Sequence, residues 1–269
     1  MTSPGAVAAA RVLTYHAGRL TERADEVAVE EPLELRVQDG GESVTLALTM
    51  RTPGHDRELV LGWLHAEGLL DAARLVSLGQ DADTPNVITL HVPDPGRLLA
   101  SARVSVTGSA CGVCGSGSVE RLAVRVQPPV WTAGPLSPAR LCGLPERLRA
   151  AQPGFTATGG LHAAGLFTPA GDLLAAFEDV GRHNAVDKLV GWALERGELP
   201  LTDRVLVTSS RAGFEIVQKA ALTGIPVVLT VGAPSSLAVE TAAALNLTLI
   251  GFARADRFNV YAGAERLQP

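Results

Sequence analysis

The chain has 269 residues, of which 46% are hydrophobic and 4% aromatic, and its formal net charge at pH 7 is −5. That length is enough to bury a sizeable core, in one large domain or in two unequal ones. An acidic chain has no general attraction to a phosphate backbone or an anionic membrane, so we expect no nucleic acid and no membrane among its partners.

The termini, the apolar runs and the cysteines indicate a cytoplasmic protein. Arg11 interrupts a short apolar start that no basic region precedes, so no signal peptide is expected. The uncharged run 220–239 is cut by glycines and prolines into pieces too short to span a bilayer. Three cysteines, Cys111, Cys114 and Cys142, are too few for a secreted disulfide framework and are typical of a reducing compartment.

Residues 1–107 alternate short apolar runs with turns, which predicts a smaller α+β domain. A helix is expected from near Asp56, because the apolar residues that follow it fall on one helical face. Asp39-Gly40-Gly41 has the composition of a hairpin turn. Strands are expected at 26–30, 33–38, 43–50 and 86–92.

Residues 108–136 separate the two halves of the chain. Their first part reads GSACGVCGSGS, which contains nothing that could anchor a core and predicts a mobile loop. A proline-rich connector follows, and then a helix with Ser137 as N-cap and Pro138 at its first position. Cys142 lies in this amphipathic helix and is expected to be a small buried apolar residue.

Residues 137–269 alternate strands and helices, which predicts a mostly parallel sheet with helices on its faces. Helices are expected to begin at Phe214 and Leu237, each after a short polar turn. The preceding and following strands are expected at 203–208, 226–231 and 247–252.

The CxxC motif of Cys111 and Cys114 is the sharpest chemical feature, and it has four interpretations. A structural zinc site needs two more ligands, and no second CxxC or HxxxH exists to supply them. A redox dithiol normally has its first cysteine at a helix N-terminus, where the helix dipole lowers the pKa of the thiol. Glycine, serine and alanine surround this pair and provide no rigid helix start. A sulfur carrier needs a thiolate that travels between donor and acceptor, which a glycine-rich loop suits best. Two inert cysteines remain the fourth possibility.

Two strand-to-helix turns in the second half are candidate anion sites. Ser209, Ser210 and Arg211 follow one predicted strand, and Ser235 and Ser236 follow the next. Helix starts at the carboxyl ends of parallel strands are where such folds bind nucleotides. Alternatively these serines are only N-caps. The chain contains no P-loop and no GxGxxG, so neither standard fingerprint applies.

The run 178–188 places many polar groups at the start of another helix. His183 and Asp187 are one turn apart and could pair. Either the run is a solvated helix start, or His183 is a tuned group at a functional site.

The motifs described above, together with further segments of the chain, resemble in order those of the formate dehydrogenase accessory sulfurtransferase family (FdhD). The resemblance covers nearly the whole chain. The matching segments are 31–37, 51–56, 109–115, 158–162, 178–188, 209–215, 233–240, 251–254 and 257–261.

The resemblance implies that a cysteine desulfurase loads sulfur onto Cys111, and that the sulfur passes to the molybdenum bis(molybdopterin guanine dinucleotide) cofactor of formate dehydrogenase. It implies a second domain similar to the cytidine deaminase fold, and a homodimer. It also associates one segment with cofactor binding, which consists of Phe252, Ala253, Arg254, Ala255, Asp256 and Arg257.

The residues also bear on rival functions. A zinc deaminase needs His-x-Glu followed by Pro-Cys-x-x-Cys. Here the CxxC precedes His183, His183-Asn184-Ala185 lacks the glutamate and no proline precedes Cys111, so we expect no metal of its own. A cofactor chaperone that moves no sulfur, or a dithiol redox protein, remains an alternative to the carrier.

Lysine is rare in this chain. Only Lys188 and Lys219, among 23 Lys and Arg residues, are lysines, and both follow motif turns. They are expected to reach into the cofactor cleft as compact ammonium groups, unless the pattern is chance.

Overall fold

The computed structural model describes residues 5–39, 41–70, 77–101, 105–107, 126 and 128–267, which form three β-sheets. No helix within those ranges is long and apolar enough to cross a membrane.

The first described element is a β-hairpin made of β1 (Val7–His16) and β2 (Arg19–Ala28). The strands pair antiparallel from Val7–Ala28 to His16–Arg19. The two turn residues, Ala17 and Gly18, have φ of 48° and 85°, as two-residue hairpin turns require. The strand predicted at 26–30 is therefore wrong in its bounds, because β2 ends at Ala28. The sequence did not predict the hairpin, because neither of its faces is buried and its strands carry no buried apolar pattern.

The second sheet has five strands in the order β5-β6-β3-β4-β7. The predicted hairpin and the predicted helix from Asp56 are both confirmed. Apolar residues of one sheet face pack against α1 in a core that includes Leu33, Leu46, Leu59 and Leu64. The elements are β3 (Glu31–Asp39), β4 (Glu42–Arg51), α1 (Asp56–Glu67), β5 (Ser77–Gln80), β6 (Val87–His91), α2 (Pro95–Ser101) and β7 (Ser105–Thr107).

The third sheet has six strands in the order β13-β12-β11-β10-β8-β9. Its elements, from the helix that Pro138 starts, are α3 (Pro138–Ala150), α4 (Pro153–Thr158), β8 (His162–Phe167), β9 (Leu173–Asp179), α5 (Arg182–Glu195), β10 (Val205–Thr208), α6 (Phe214–Leu222), β11 (Val227–Thr230), α7 (Ser236–Ala244), β12 (Thr248–Gly251) and β13 (Asn259–Ala262).

This sheet is mixed rather than mostly parallel. The prediction of parallel strands holds for the centre, where β10, β11 and β12 pair in parallel. Outside that centre β8 is antiparallel to β10, β9 to β8, and β13 to β12. The five residues 168–172 between β8 and β9 are too few for a parallel crossover, so these strands can only form a hairpin.

Helices cover both faces of the third sheet because its central strands are buried on both sides. Along β10, Leu206 belongs to the core shared with α5, α6 and α7, whereas Val205 and Val207 belong to the core shared with α3. Because β10, β11 and β12 are parallel, their carboxyl ends lie at the same edge of the sheet. The loops that follow these three strands are therefore neighbours at that edge.

The halves of the molecule meet where α1 crosses α5. A Cβ placed on Gly62 of α1 would lie 2.0 Å from the carbonyl oxygen of Asp187, and one on Gly191 of α5 would lie 1.9 Å from that of Glu58. The two helices therefore touch backbone to backbone, and only glycine fits at either position.

Candidate functional site

Cys111 and Cys114 lie outside the residues that the structure describes. Cys142 is described, and it is a free, buried cysteine of α3, as the sequence predicted. Burial raises the pKa of its thiol, and the carboxylate of Asp256 raises it further. A buried thiol that resists ionisation is a poor nucleophile.

A cavity of about 500 Å³ opens at the carboxyl edge of the parallel strands. Ser209 follows β10, Val231 follows β11 and residues 253–255 follow β12, and all of them line it. The opposite wall is made by α3 and α4 and includes Leu148 and Phe155. Open α/β sheets bind ligands at this edge, and the volume suits one nucleotide.

The loops that follow the three parallel strands are held together by backbone hydrogen bonds. The amide of Gly232 donates to the carbonyl of Ser210 at 2.9 Å, and that of Phe252 donates to the carbonyl of Gly232 at 3.1 Å. A Cβ on Gly232 would lie 2.9 Å from the Cα of Arg211, so the loops approach as closely as a glycine allows. The two predicted turns are thus direct neighbours.

The five residues predicted at these turns have different environments. Ser209 lines the cavity and accepts a hydrogen bond from the amide of Ala163 at 2.9 Å. Ser235 is an N-cap whose hydroxyl accepts from the amide of Ala238. Ser210 is buried, whereas Arg211 and Ser236 are exposed, and none of these three is among the described residues that line the cavity.

The segment 252–257 forms a tight loop at the rim of the cavity. Phe252 has a φ of 54° and is 43% exposed, an unusual combination for a bulky side chain. Arg254 lines the cavity, and its Nη1 donates to the carbonyls of Val231 and Ala253, each at 2.8 Å. Asp256 and Arg257 point to solvent. Half of the segment, residues 253–255, contributes to the cavity wall.

The predicted pair of His183 and Asp187 is not formed. Asp187 instead accepts from Lys219 of α6 at 2.6 Å, and the Nδ1 of His183 lies 3.6 Å from an oxygen of Glu215. Since α6 packs against this face of α5, its ammonium outcompetes the imidazole for the carboxylate. Burial, followed by the charges of Lys219 and Arg182, lowers the pKa of His183 to about 4. His183 is thus neutral at pH 7, and its Nδ1 has no hydrogen-bond partner among the described residues.

Both lysines are engaged in buried ion pairs. Burial raises the pKa of Asp187 to about 6, against the lowering effect of Lys219. The ammonium of Lys188, which is 1% exposed, donates to Asp179 at 2.8 Å and to the carbonyl of Thr52 at 2.9 Å. Neither lysine is among the described residues that line the cavity. Their positions therefore do not support the expectation that they reach into the cofactor cleft.

Asp179 is the centre of a buried network that the sequence did not predict. One carboxylate oxygen accepts from the amide of Gly181 at 2.8 Å and the side chain of Asn184 at 3.0 Å. The other accepts from Lys188 and from the amide of Thr52. Because Thr52 belongs to the first half of the chain, this network fixes the start of α5 against the N-terminal half. The only sequence signal was the density of polar residues in 178–188.

The wall residues that were not predicted as site residues include Arg149, Phe155 and His162. The guanidinium of Arg149 stacks on the ring of Phe155 at 4.5 Å. His162 is the last residue of the segment 158–162, which contributed to the family resemblance but was assigned no role. No group of three or more possible metal ligands occurs in the described part of the chain.

Comparison with known proteins agrees with this architecture. The model of the FdhD/NarQ family matches residues 28–268. A relative from Corynebacterium efficiens, named "Sulfur carrier protein FdhD", is 50% identical over 255 residues, which is 90% of each chain. A protein of the same name from Streptomyces coelicolor is 45% identical over 269 residues, covering 96% of this chain and 94% of that one.

A solved structure shows the same fold at low identity. It is a crystal structure of a protein from Desulfotalea psychrophila described as a formate dehydrogenase accessory protein, with a TM-score of 0.73 and 23% identity. The alignment covers 97% of this chain and 99% of that one, so the fold is shared over nearly the whole of the described chain. With a family model that spans nearly all of the sequence and relatives near half identity, this chain belongs to the FdhD/NarQ family.

Proposed function

We propose that the protein is a cytoplasmic sulfur carrier that takes sulfur from a cysteine desulfurase as a persulfide on Cys111. It delivers this sulfur to the molybdenum bis(molybdopterin guanine dinucleotide) cofactor that formate dehydrogenase requires. The names of the relatives support sulfur carriage, and the accessory role of the structural neighbour supports the link to formate dehydrogenase.

The sulfur chemistry needs only the two cysteines of the CxxC motif. The thiolate of Cys111 attacks the outer sulfur of the donor's persulfide, and the donor leaves as a thiolate. Once the acceptor is bound, the thiolate of Cys114 attacks the Cys111 sulfur, forms a Cys111–Cys114 disulfide and releases the carried atom as hydrosulfide. The two cysteines supply the two electrons that reduce that sulfur, and two equivalents of a cellular thiol then reduce the disulfide and restore the pair.

Binding of the cofactor, which accepts the sulfur, is supported by one structural observation, the cavity at the carboxyl edge of β10, β11 and β12. It contains residues 253–255 of the segment that the resemblance associates with the cofactor, and two guanidinium groups line it. Arginine forks suit phosphate oxygens, and about 500 Å³ accommodates one guanine nucleotide rather than the whole cofactor. The expected homodimer would supply two such cavities and stays a prediction.

Guanosine diphosphate tests the cavity assignment directly. Calorimetry at pH 7 and low salt should show binding to the wild-type protein, and Arg254→Ala should weaken it by about tenfold, the effect of one charged hydrogen bond. Arg196→Ala is the matched control, because Arg196 is exposed and stacks on Trp192 away from the cavity. Absence of binding, or equal affinity in the Arg254 variant, would contradict the assignment.

The rival function is a chaperone that binds the cofactor without moving sulfur. The carrier and the chaperone can be distinguished by measuring the activity of formate dehydrogenase that has been reconstituted from inactive components. A carrier with Cys111→Ala should leave the dehydrogenase inactive while still binding guanosine diphosphate. A chaperone would remain functional after this substitution.

A further inference from the structure

His162 occupies a position in the cavity that the proposed function leaves without a role. It begins β8, pairs across the sheet with Asp179, and is half-buried. It lines the same cavity as Ser209 and Arg254. An imidazole at that position faces the space where the nucleotide is proposed to lie.

The other charged groups of the cavity leave room for one more cation. Among the described lining residues, Arg149 and Arg254 are positive and Glu146 is negative. Arg149 is held by its stacking on Phe155 and by a 2.8 Å bond to the hydroxyl of Thr156, and Arg254 by two carbonyls. These described groups carry one net positive charge, against at least two negative charges on a nucleoside diphosphate.

The surroundings of His162 keep it neutral until an anion arrives. Burial lowers the pKa of His162, the nearby charge of Arg182 on α5 lowers it further, and Asp179 on β9 opposes both. The neighbouring imidazole of His183 is itself neutral at pH 7. Across the cavity, the charged lining residues are Glu146 and Arg149 of α3 and Arg254 of the loop after β12. A phosphate brought into the cavity would reverse this balance in favour of the imidazolium.

We propose that His162 binds the phosphate groups of the nucleotide and takes up a proton as it does so. This inference rests on the proposed function, which places a guanine nucleotide in the cavity. It adds a proton-linked contact that makes binding tighter as the pH falls.

Calorimetry measures the linked proton. Guanosine diphosphate is titrated into the wild-type protein at pH 7 in two buffers of different ionisation enthalpy. Uptake of a substantial fraction of one proton is expected, together with a dissociation constant that rises by about tenfold in all between pH 6 and pH 8. Guanosine, which lacks phosphate, should show neither effect. Wild-type binding without proton uptake, or equal uptake with guanosine, would overturn the inference.

Three variants assign the proton to a residue. His162→Gln should bind about tenfold more weakly at pH 6, converge with the wild type at pH 8 and lose the proton uptake. His16→Gln, at an exposed position on β1, and His183→Gln should retain the uptake. Uptake that survives in His162→Gln, or that disappears in His183→Gln instead, would overturn the assignment to His162. A wild-type protein that binds no nucleotide at any pH would instead overturn the cavity assignment, and this inference with it.

Discussion

The crossing of α1 and α5 offers the sharpest test of how the two halves are held together. Gly62→Ala would place a methyl group 2.0 Å from the carbonyl oxygen of Asp187, where ordinary contact needs about 3.4 Å or more. The obstructing atom is backbone, so no side-chain rotation can relieve the clash. The helices must separate by more than about 1 Å, which would stretch the bonds that Lys188 and Asp179 make to Thr52.

The expected loss of folding stability in Gly62→Ala follows from the nature of the clash. Overpacking a core costs about 1–3 kcal/mol, and a backbone-on-backbone clash belongs at the upper end of that range. The better helix propensity of alanine returns at most about 1 kcal/mol. We therefore expect a net loss of about 2 kcal/mol, which lowers the melting temperature by roughly 4–8 °C in a chain of this size.

Differential scanning calorimetry of Gly62→Ala and Gly143→Ala makes the comparison. Gly143 lies in the middle of α3, and a Cβ there would meet nothing within 4 Å. That control should be stabilised by about 0.5–1 kcal/mol, because it gains helix propensity without a clash. If the two variants melt at the same temperature, the backbone contact between α1 and α5 is refuted.

Two further expectations concern buried polar groups. The pKa of His183 is lowered to about 4 in the fold, so its contribution to stability is present above about pH 6.5 and is lost as the pH falls through 4. His183→Gln should remove about 3 kcal/mol of this acid destabilisation, measured by urea unfolding at pH 7 and pH 4, and an unchanged pH dependence would contradict it. Lys188→Arg places a larger planar group in a 1% exposed site, and should cost about 1–3 kcal/mol in chemical denaturation. A denaturation midpoint equal to that of the wild type would show that the site is less tightly packed than described.

Patterns within single segments predicted much of the fold. The strand and helix sequence from Val205 to Gly251 is periodic and bounded by turns, so each element was recognisable alone. The parallel centre followed from it, and so did the meeting of the two serine-containing turns at one edge. The β8–β9 hairpin was not predicted, because β8 is rich in glycine and alanine and lacks the β-branched residues that mark a strand.

Contacts between distant segments could not be predicted from the sequence. The cavity wall formed by Arg149 and Phe155 depends on how α3 and α4 pack across the sheet, which no local pattern encodes. The same holds for Asp187, whose partner Lys219 lies 32 positions away on another helix. His183 and Asp187 were expected to pair because helical spacing is visible in the sequence, whereas a competing helix is not.

If Cys111 carries the sulfur, the intact mass of the protein reports it. The protein is incubated with a cysteine desulfurase and cysteine, and is weighed by mass spectrometry before and after treatment with a thiol reductant. The wild type and Cys142→Ala should each gain one sulfur atom that the reductant removes, because the Cys142 thiol is buried and resists ionisation. Cys111→Ala should gain none. A Cys111→Ala protein that still acquires a removable sulfur atom would show that another residue carries the sulfur.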